Sequence, residues 1–403
     1  MDDRQLERFA GDARCLLIEQ VRARLAAVTL GDNGQLRESP EAVETVRRRA
    51  ASEAGREALV NEVAYTWFNR LCALRYIDVN HYTELGLVSP RAGFTQPQLL
   101  HEAMAGYIPE WLPVDRGRVA ALLNGQLSSQ DPQGEAYRLL LCAACRGLHR
   151  QLPLMFEALS DYTELLMPAD LLSERSVLEM VRQALTHEGC RDVEVIGWLY
   201  QYYIAEQKRA IMARKGAVPS EDVPARTQLF TPHWIVRYLV ENSLGRLWLL
   251  NHPESRLAER MPYYIAPEEP EDDFLRVNSP EELRVCDPAC GSGHLLTYAF
   301  DLLYAIYEEQ GYEAARIPQL ILEKNLWGIE IDARAGQLAA FALTIKAHQR
   351  DRRYLQRVAE ADGEERERLA PNVCVLEDVA FTPQEIHEYG ERLGRDLFTQ
   401  AVP

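Results

Sequence analysis

The twelve residues Leu283-Arg-Val-Cys-Asp-Pro-Ala-Cys-Gly-Ser-Gly-His leave this chain few folds to choose from. An apolar run ends on an acid at Asp287, a loop carries Gly291 and Gly293, and an apolar helical repeat starts at His294. Glycines at such a place let the backbone pass close to a ligand at the carboxyl end of a sheet strand. The same rhythm continues downstream. Strands are expected at 283–286, 326–331 and 373–376, with helices at 294–310 and 333–349. Short apolar strands alternating with helices predict the opening of a doubly wound parallel α/β sheet.

Upstream the pattern is helical. Apolar residues recur at helical spacing over 1–30 and 40–77, with a turn at Gly31-Asp32-Asn33-Gly34 between them. Further helices are expected near 97–106, 117–126, 134–149, 153–160, 174–187 and from Val193 to Lys208. A loop at 216–225 breaks the pattern, a helix is expected over 232–248, and the Pro- and acid-rich stretch 262–280 reads as a surface linker. The expected division is therefore an all-helical region over 1–215, a connecting segment over 216–280 and an α/β region over 281–403.

Composition limits the partners. Basic residues number 44 and acidic residues 61, for a net charge of −17. Any nucleic-acid contact must then come from a local basic patch or from protein outside this chain, and a membrane surface is an unsuitable partner. No apolar run reaches membrane-spanning length and the acidic start is unlike a signal peptide, so a cytoplasmic protein is expected. Of the eight cysteines, only Cys142 and Cys145 have ligand-like spacing. No second pair follows, and the pattern from Tyr137 to Leu148 predicts a buried helix in which they pack as small apolar residues, not a metal site.

The glycine loop differs from a dinucleotide-binding loop in two ways. That loop has a third glycine where this chain has Leu296, and the acid of Asp287 would repel a pyrophosphate. S-adenosylmethionine (SAM) carries an ammonium and a sulfonium and no phosphate, so an acid there suits it. Glu330, in Asn325-Leu-Trp-Gly-Ile-Glu-Ile-Asp, ends a strand 43 residues after Asp287 and can accept hydrogen bonds from ribose hydroxyls. Pro288, Ala289, Gly291, Gly293 and Ile331 complete the expected cofactor wall. Asp378, or alternatively Glu377, follows the third strand and is placed to accept from an adenine amino group. Upstream, Thr231 is expected to cap a helix that begins at Pro232, offering free N–H groups to the methionine carboxylate.

Asp287-Pro-Ala-Cys-Gly-Ser-Gly resembles motif I of amino-methyltransferases acting on nucleic acid, and Phe230-Thr-Pro resembles their motif X. With Tyr65-Thr-Trp-Phe-Asn-Arg, Val195-Ile-Gly-Trp-Leu-Tyr-Gln-Tyr-Tyr-Ile and Asn325-Leu-Trp-Gly-Ile-Glu-Ile-Asp-Ala-Arg-Ala, the chain from about residue 60 resembles the adenine-specific DNA methyltransferases of BREX (bacteriophage exclusion) defence systems. These are relatives of type I and type IIG modification enzymes. The resemblance implies an α-helical amino-terminal domain followed by the first part of a Rossmann-like, SAM-dependent methyltransferase domain. It also implies methyl transfer to a flipped adenine in double-stranded DNA and contacts with other defence proteins. The family's Asn-Pro-Pro-Tyr motif is absent, because the sequence holds no Pro-Pro pair, so no catalytic residue is assigned. The expectation is an amino-terminal portion whose DNA-reading region lies elsewhere. A non-catalytic cofactor-binding or docking fragment, and an NAD enzyme, are the competing readings.

Overall fold

The computed structural model describes residues 3–30, 40–156, 161–216, 218–219, 222–229, 231–376 and 382. The first part is helical. Its helices among the described residues are α1 (Asp3–Leu30), α2 (Pro40–Arg49), α3 (Glu53–Val79), α4 (Gln98–Met104), α5 (Arg116–Leu123), α6 (Pro132–Leu148), α7 (Asp161–Leu165), α8 (Val177–Ala184) and α9 (Glu194–Ala213). Local chemistry sets several starts. Ser52 accepts from the Gly55 amide at 3.0 Å and opens α3, which splits the stretch expected as one helix over 40–77. Asp131 accepts from Gly134 N–H at 3.0 Å with Pro132 beginning α6. The helix expected over 153–160 is not formed over 153–156, which lie in turns; Pro153 has no N–H to give and disfavours helical backbone before it. The remainder of that segment, and the turn at Gly31–Gly34, lie outside the described residues.

The central helix α3 is buried on most sides, with Trp67, Phe68, Tyr76 and Asn69 all in the interior. Its last turn organises the chain that follows. The Asp78 carboxylate accepts from the amides of Leu87 (2.8 Å), Val88 (2.8 Å) and Ser89 (2.7 Å), fixing an irregular loop that would otherwise bury unpaired N–H groups. Cys142 and Cys145 sit in the core on α6, as expected, and burial pushes the Cys145 thiol up to about 11.

The connecting segment holds α10 (Val223–Thr227), which overlaps the end of the loop expected over 216–225, then α11 (His233–Val240), a π turn (Glu241–Gly245) and α12 (Arg246–Asn251). The helix expected over 232–248 is thus formed, continuous from His233 to Asn251 with the π turn inside it. The π turn brings fully buried Glu241 to accept from the Tyr298 hydroxyl and the Tyr263 amide, both at 2.6 Å. At Gly245 a side chain would meet Met261 Sδ at 2.3 Å, so glycine permits the close approach of the segment beyond. The acid-rich stretch 262–280 is irregular and mostly exposed, but it is tied down. Asn242 accepts from the Ile265 amide and Asn251 accepts from the Val277 amide.

The last part alternates β1 (Val285–Asp287), α13 (His294–Glu309), α14 (Ile317–Lys324), β2 (Leu326–Glu330), α15 (Ala333–Arg350), α16 (Tyr354–Glu360), α17 (Gly363–Leu369) and β3 (Asn372–Val375). All three strands are parallel in the order β1-β2-β3, with Asp287 opposite Gly328 and Glu330 opposite Val375. They lie within two residues of the expected positions; α16 and α17 carry no strong sequence signal. Fully buried Asn325 anchors the entry to the sheet, donating to the carbonyls of Pro280 (2.8 Å) and Leu283 (2.7 Å).

Helix α15 joins the two parts. Leu338, Phe341 and Ile345 belong to the core of the helical region, while Ala339, Leu343 and Ala347 belong to the core under the sheet. A helix buried on both sides shows little amphipathic contrast, and α15 is buried without interruption from Leu338 to Ile345.

Candidate functional site

A cleft opens at the carboxyl ends of β1 and β2. Its walls are Asp287 to Gly291 from the glycine loop, His294 and Leu295 from the first turn of α13, Glu330 and Ile331 from the end of β2, and Thr227 to Leu229 with Thr231 from the segment before α11. Seven of the residues singled out in the sequence meet here: Thr231, Asp287, Pro288, Ala289, Gly291, Glu330 and Ile331. Pro232 and Gly293 are not among the lining residues. Asp378 and its alternative Glu377 lie outside the described residues.

The loop is built by its glycines and by Glu330. Gly291 (φ 55°) and Gly293 (φ 86°) take left-handed backbone. At Gly293 a side chain would also press on Ala339 of α15 at 3.0 Å. The buried Glu330 carboxylate accepts from three backbone amides: Gly291 at 2.6 Å, Ile331 at 3.0 Å and Asp332 at 3.0 Å. A carboxylate has about four lone-pair positions, so roughly one remains for a ligand while the Gly291 bond holds.

Leu296 is fully buried and occupies the position where a dinucleotide loop has its third glycine. The compensating glycine is on β2. A side chain at Gly328 would stand 2.9 Å from both Leu296 Cδ1 and Cys290 Sγ. Close helix-to-strand packing is kept with the small residue moved to the other partner.

The cleft contains two carboxylates and no Lys or Arg among its lining residues. Burial, followed by the neighbouring Glu330 charge, holds the Asp287 carboxyl above the usual range; one N–H from Ala289 at 3.2 Å opposes this. The Cys290 thiol is pushed up to about 12, chiefly by burial. With the Gly291 N–H given to Glu330, the loop is poorly equipped for a phosphate. The donor and charge pattern fits a ligand bearing positive charge and hydroxyl groups.

One expectation is corrected. Pro232, not Thr231, occupies the cap position before α11, and no side chain caps it. Pro232 has extended backbone (ψ 141°), and its carbonyl accepts from the amides of Ile235 (2.8 Å) and Val236 (3.1 Å). Because Pro232 is itself extended, the helix begins only at His233, and Thr231 stands one place too early to cap it.

Sequence reading missed Gln228, His294 and Leu295, which are brought to the cleft by chain folding. It also missed a polar cluster behind the loop. Glu194 of α9 lies 3.6 Å from His294 and 3.4 Å from His233, and accepts from the Thr297 hydroxyl at 3.3 Å. Nothing local marks Glu194, whose partners lie up to 103 residues away.

Comparison with known proteins agrees with the resemblance read from the motifs. Residues 276–369 match the family described as MmeI, DNA-methyltransferase domain. The chain is 44% identical to the adenine-specific methyltransferase BrxX of Escherichia coli O9:H4 (strain HS), over 93% of this chain and 32% of that protein. It is 34% identical to the adenine-specific methyltransferase PglX of Lacticaseibacillus casei (strain Zhang), over 88% of this chain and 33% of that one. The chain therefore spans about a third of the length of these curated relatives. The solved type IIL restriction-modification enzyme MmeI in complex with DNA overlays at a TM-score of 0.36 with 12% identity, covering 93% of this chain and 40% of its own, too slight a likeness to argue from.

Proposed function

We propose that this chain, a member of the adenine-specific methyltransferases of BREX systems over about a third of their length, is the amino-terminal part of a DNA adenine-N6 methyltransferase and carries its SAM-binding half. The observation that supports the reading best is the cleft at the ends of β1 and β2, with two carboxylates and no Lys or Arg among its lining residues. SAM, when bound, supplies the methyl group from a sulfonium that leaves as a neutral thioether. Asp287, Pro288, Ala289, Gly291 and Gly293 form the loop that would receive it. Glu330 and Ile331 would hold the ribose, Glu330 with its remaining lone pair or with those freed when Gly291 turns away. Thr231 and Pro232 would face the methionine carboxylate, and Asp378 the adenine amino group.

In this reading the three strands are the first part of a Rossmann-like sheet. Parallel sheets are normally covered on both faces. Here the face carrying Cys286 and Cys374 is exposed, and β1 has a partner on one edge alone among the described strands. Further strands and helices of the whole protein would cover that face and bring the Asn-Pro-Pro-Tyr loop. Double-stranded DNA would be held mainly through those regions, in the cytoplasm, alongside other defence proteins. No helix among the described residues is long and apolar enough to cross a membrane. The absence of a Pro-Pro pair favours a second reading for the isolated chain, a cofactor-binding piece that catalyses nothing alone.

The test is thermal unfolding with added ligand. SAM and its demethylated product are expected to stabilise the chain by about 2.7 kcal/mol at a hundredfold excess over Kd, and NAD is not. Stabilisation by NAD with none by SAM overturns the reading.

A further inference from the structure

One helix of the helical region touches every segment that forms the cleft. At the start of α9, Glu194 engages His233, His294 and Thr297. One turn on, Gly197 lies so close to the glycine loop that a side chain there would meet Ser292 Oγ at 2.4 Å and His294 Nε2 at 3.0 Å. Next, the buried Tyr200 hydroxyl donates to the Asp332 carboxylate. Toward the far end, the Lys208 ammonium donates to the Gln228 carbonyl. Residues 194, 197, 200 and 208 recur at helical spacing on one side, so a single rigid element fixes the loop, the end of β2 and the segment before α11.

We propose that α9 is the positioning element of the cofactor cleft and that Tyr200 is its main positioning residue. Tyr200 holds one Asp332 oxygen. The other oxygen caps α15 by accepting from the Arg334 amide at 3.0 Å, and the Asp332 amide donates to Glu330 at 3.0 Å. The orientation of the Glu330 carboxylate is thereby set from the helical region, with Tyr200 never touching the ligand. This rests on the cofactor reading above, and names the residues by which the helical region controls that site.

The experiment is calorimetric titration of the 403-residue chain with SAM, for the unmodified protein, Tyr200→Phe, Asp332→Asn and the double variant. Loss of a hydrogen bond to a charged group predicts about tenfold weaker binding for Tyr200→Phe. The double variant is expected to bind no worse than Asp332→Asn, because both changes break one contact. Hydrogen exchange gives a second readout on the unmodified chain. By reciprocity, SAM must slow exchange in α9 more than in α5, which is remote from the cleft. Unchanged affinity in Tyr200→Phe, independent losses in the double variant, or equal slowing in α9 and α5 overturns the positioning role and leaves the cofactor reading standing. Failure of the unmodified chain to bind SAM removes the cofactor reading, and the proposal with it. If Tyr200→Phe does not fold, the exchange comparison decides.

Discussion

At the residue scale the cleft sets two acids against each other. Asp287 has a raised folded-state pKa, from burial first and the Glu330 charge second. Such a group contributes stability that is complete below its unfolded pKa and is lost as pH rises through its folded value. At neutral pH the ionised carboxylate therefore costs stability. Asp287→Asn is expected to raise the melting temperature at pH 7, with the gap closing as the pH falls through the acid range, and to weaken SAM binding. A variant that melts lower than the parent at pH 7 contradicts this. Glu330 is different, because its carboxylate is part of the scaffold. Glu330→Ala leaves three amides without their acceptor, a loss of about 1–3 kcal/mol in urea unfolding, in addition to weaker SAM binding. Unaltered stability would mean that water replaces the carboxylate at all three amides.

At the element scale, small residues decide how closely helices meet the sheet. Gly293 combines left-handed backbone with a 3.0 Å approach to α15. Gly293→Ala should destabilise by roughly 1–3 kcal/mol from backbone strain and overpacking together, read as a lower urea midpoint at constant slope. A neutral result would mean that α13 and α15 can separate freely. The spacing pattern made most of these elements legible. The helices 294–310 and 333–349 emerged within one residue of α13 and α15, because each is a long stretch rich in apolar helix formers with no proline inside it. The helix expected over 232–248 carries a π turn for a reason held outside it: Glu241 reaches Tyr298 and Tyr263, which belong to other segments.

At the scale of the whole molecule, the helical region and the sheet are tied together by α15, which supplies both cores, and by α9, which backs the cleft. On the proposed reading, a methyl acceptor would need the Asn-Pro-Pro-Tyr loop, a motif this sequence does not contain. An adenine must leave the stack and be positioned for in-line attack, and that positioning is most of the catalysis. The chain lacks the Pro-Pro motif and carries a net charge of −17. Residues 1–403 alone are expected to transfer no labelled methyl from SAM to unmodified genomic DNA, and to bind DNA weakly and with strong salt dependence. Incorporation well above background would show that another loop of this chain holds the base.

The sequence by itself determined the strand, glycine loop and helix around Asp287, the acid-ended second strand, and the helical character of the first half. These are local: alternation, periodicity and glycine conformation act over a few residues, and neighbours along the chain carry the information. Tertiary structure alone decided that Leu296 could replace a glycine, because Gly328 on another strand makes the room. It decided that Glu330 is held by the Gly291 amide, and that Tyr200 and Glu194 stand behind the cleft from more than a hundred residues away. Such contacts depend on how whole elements pack, and packing leaves no periodic mark at either residue.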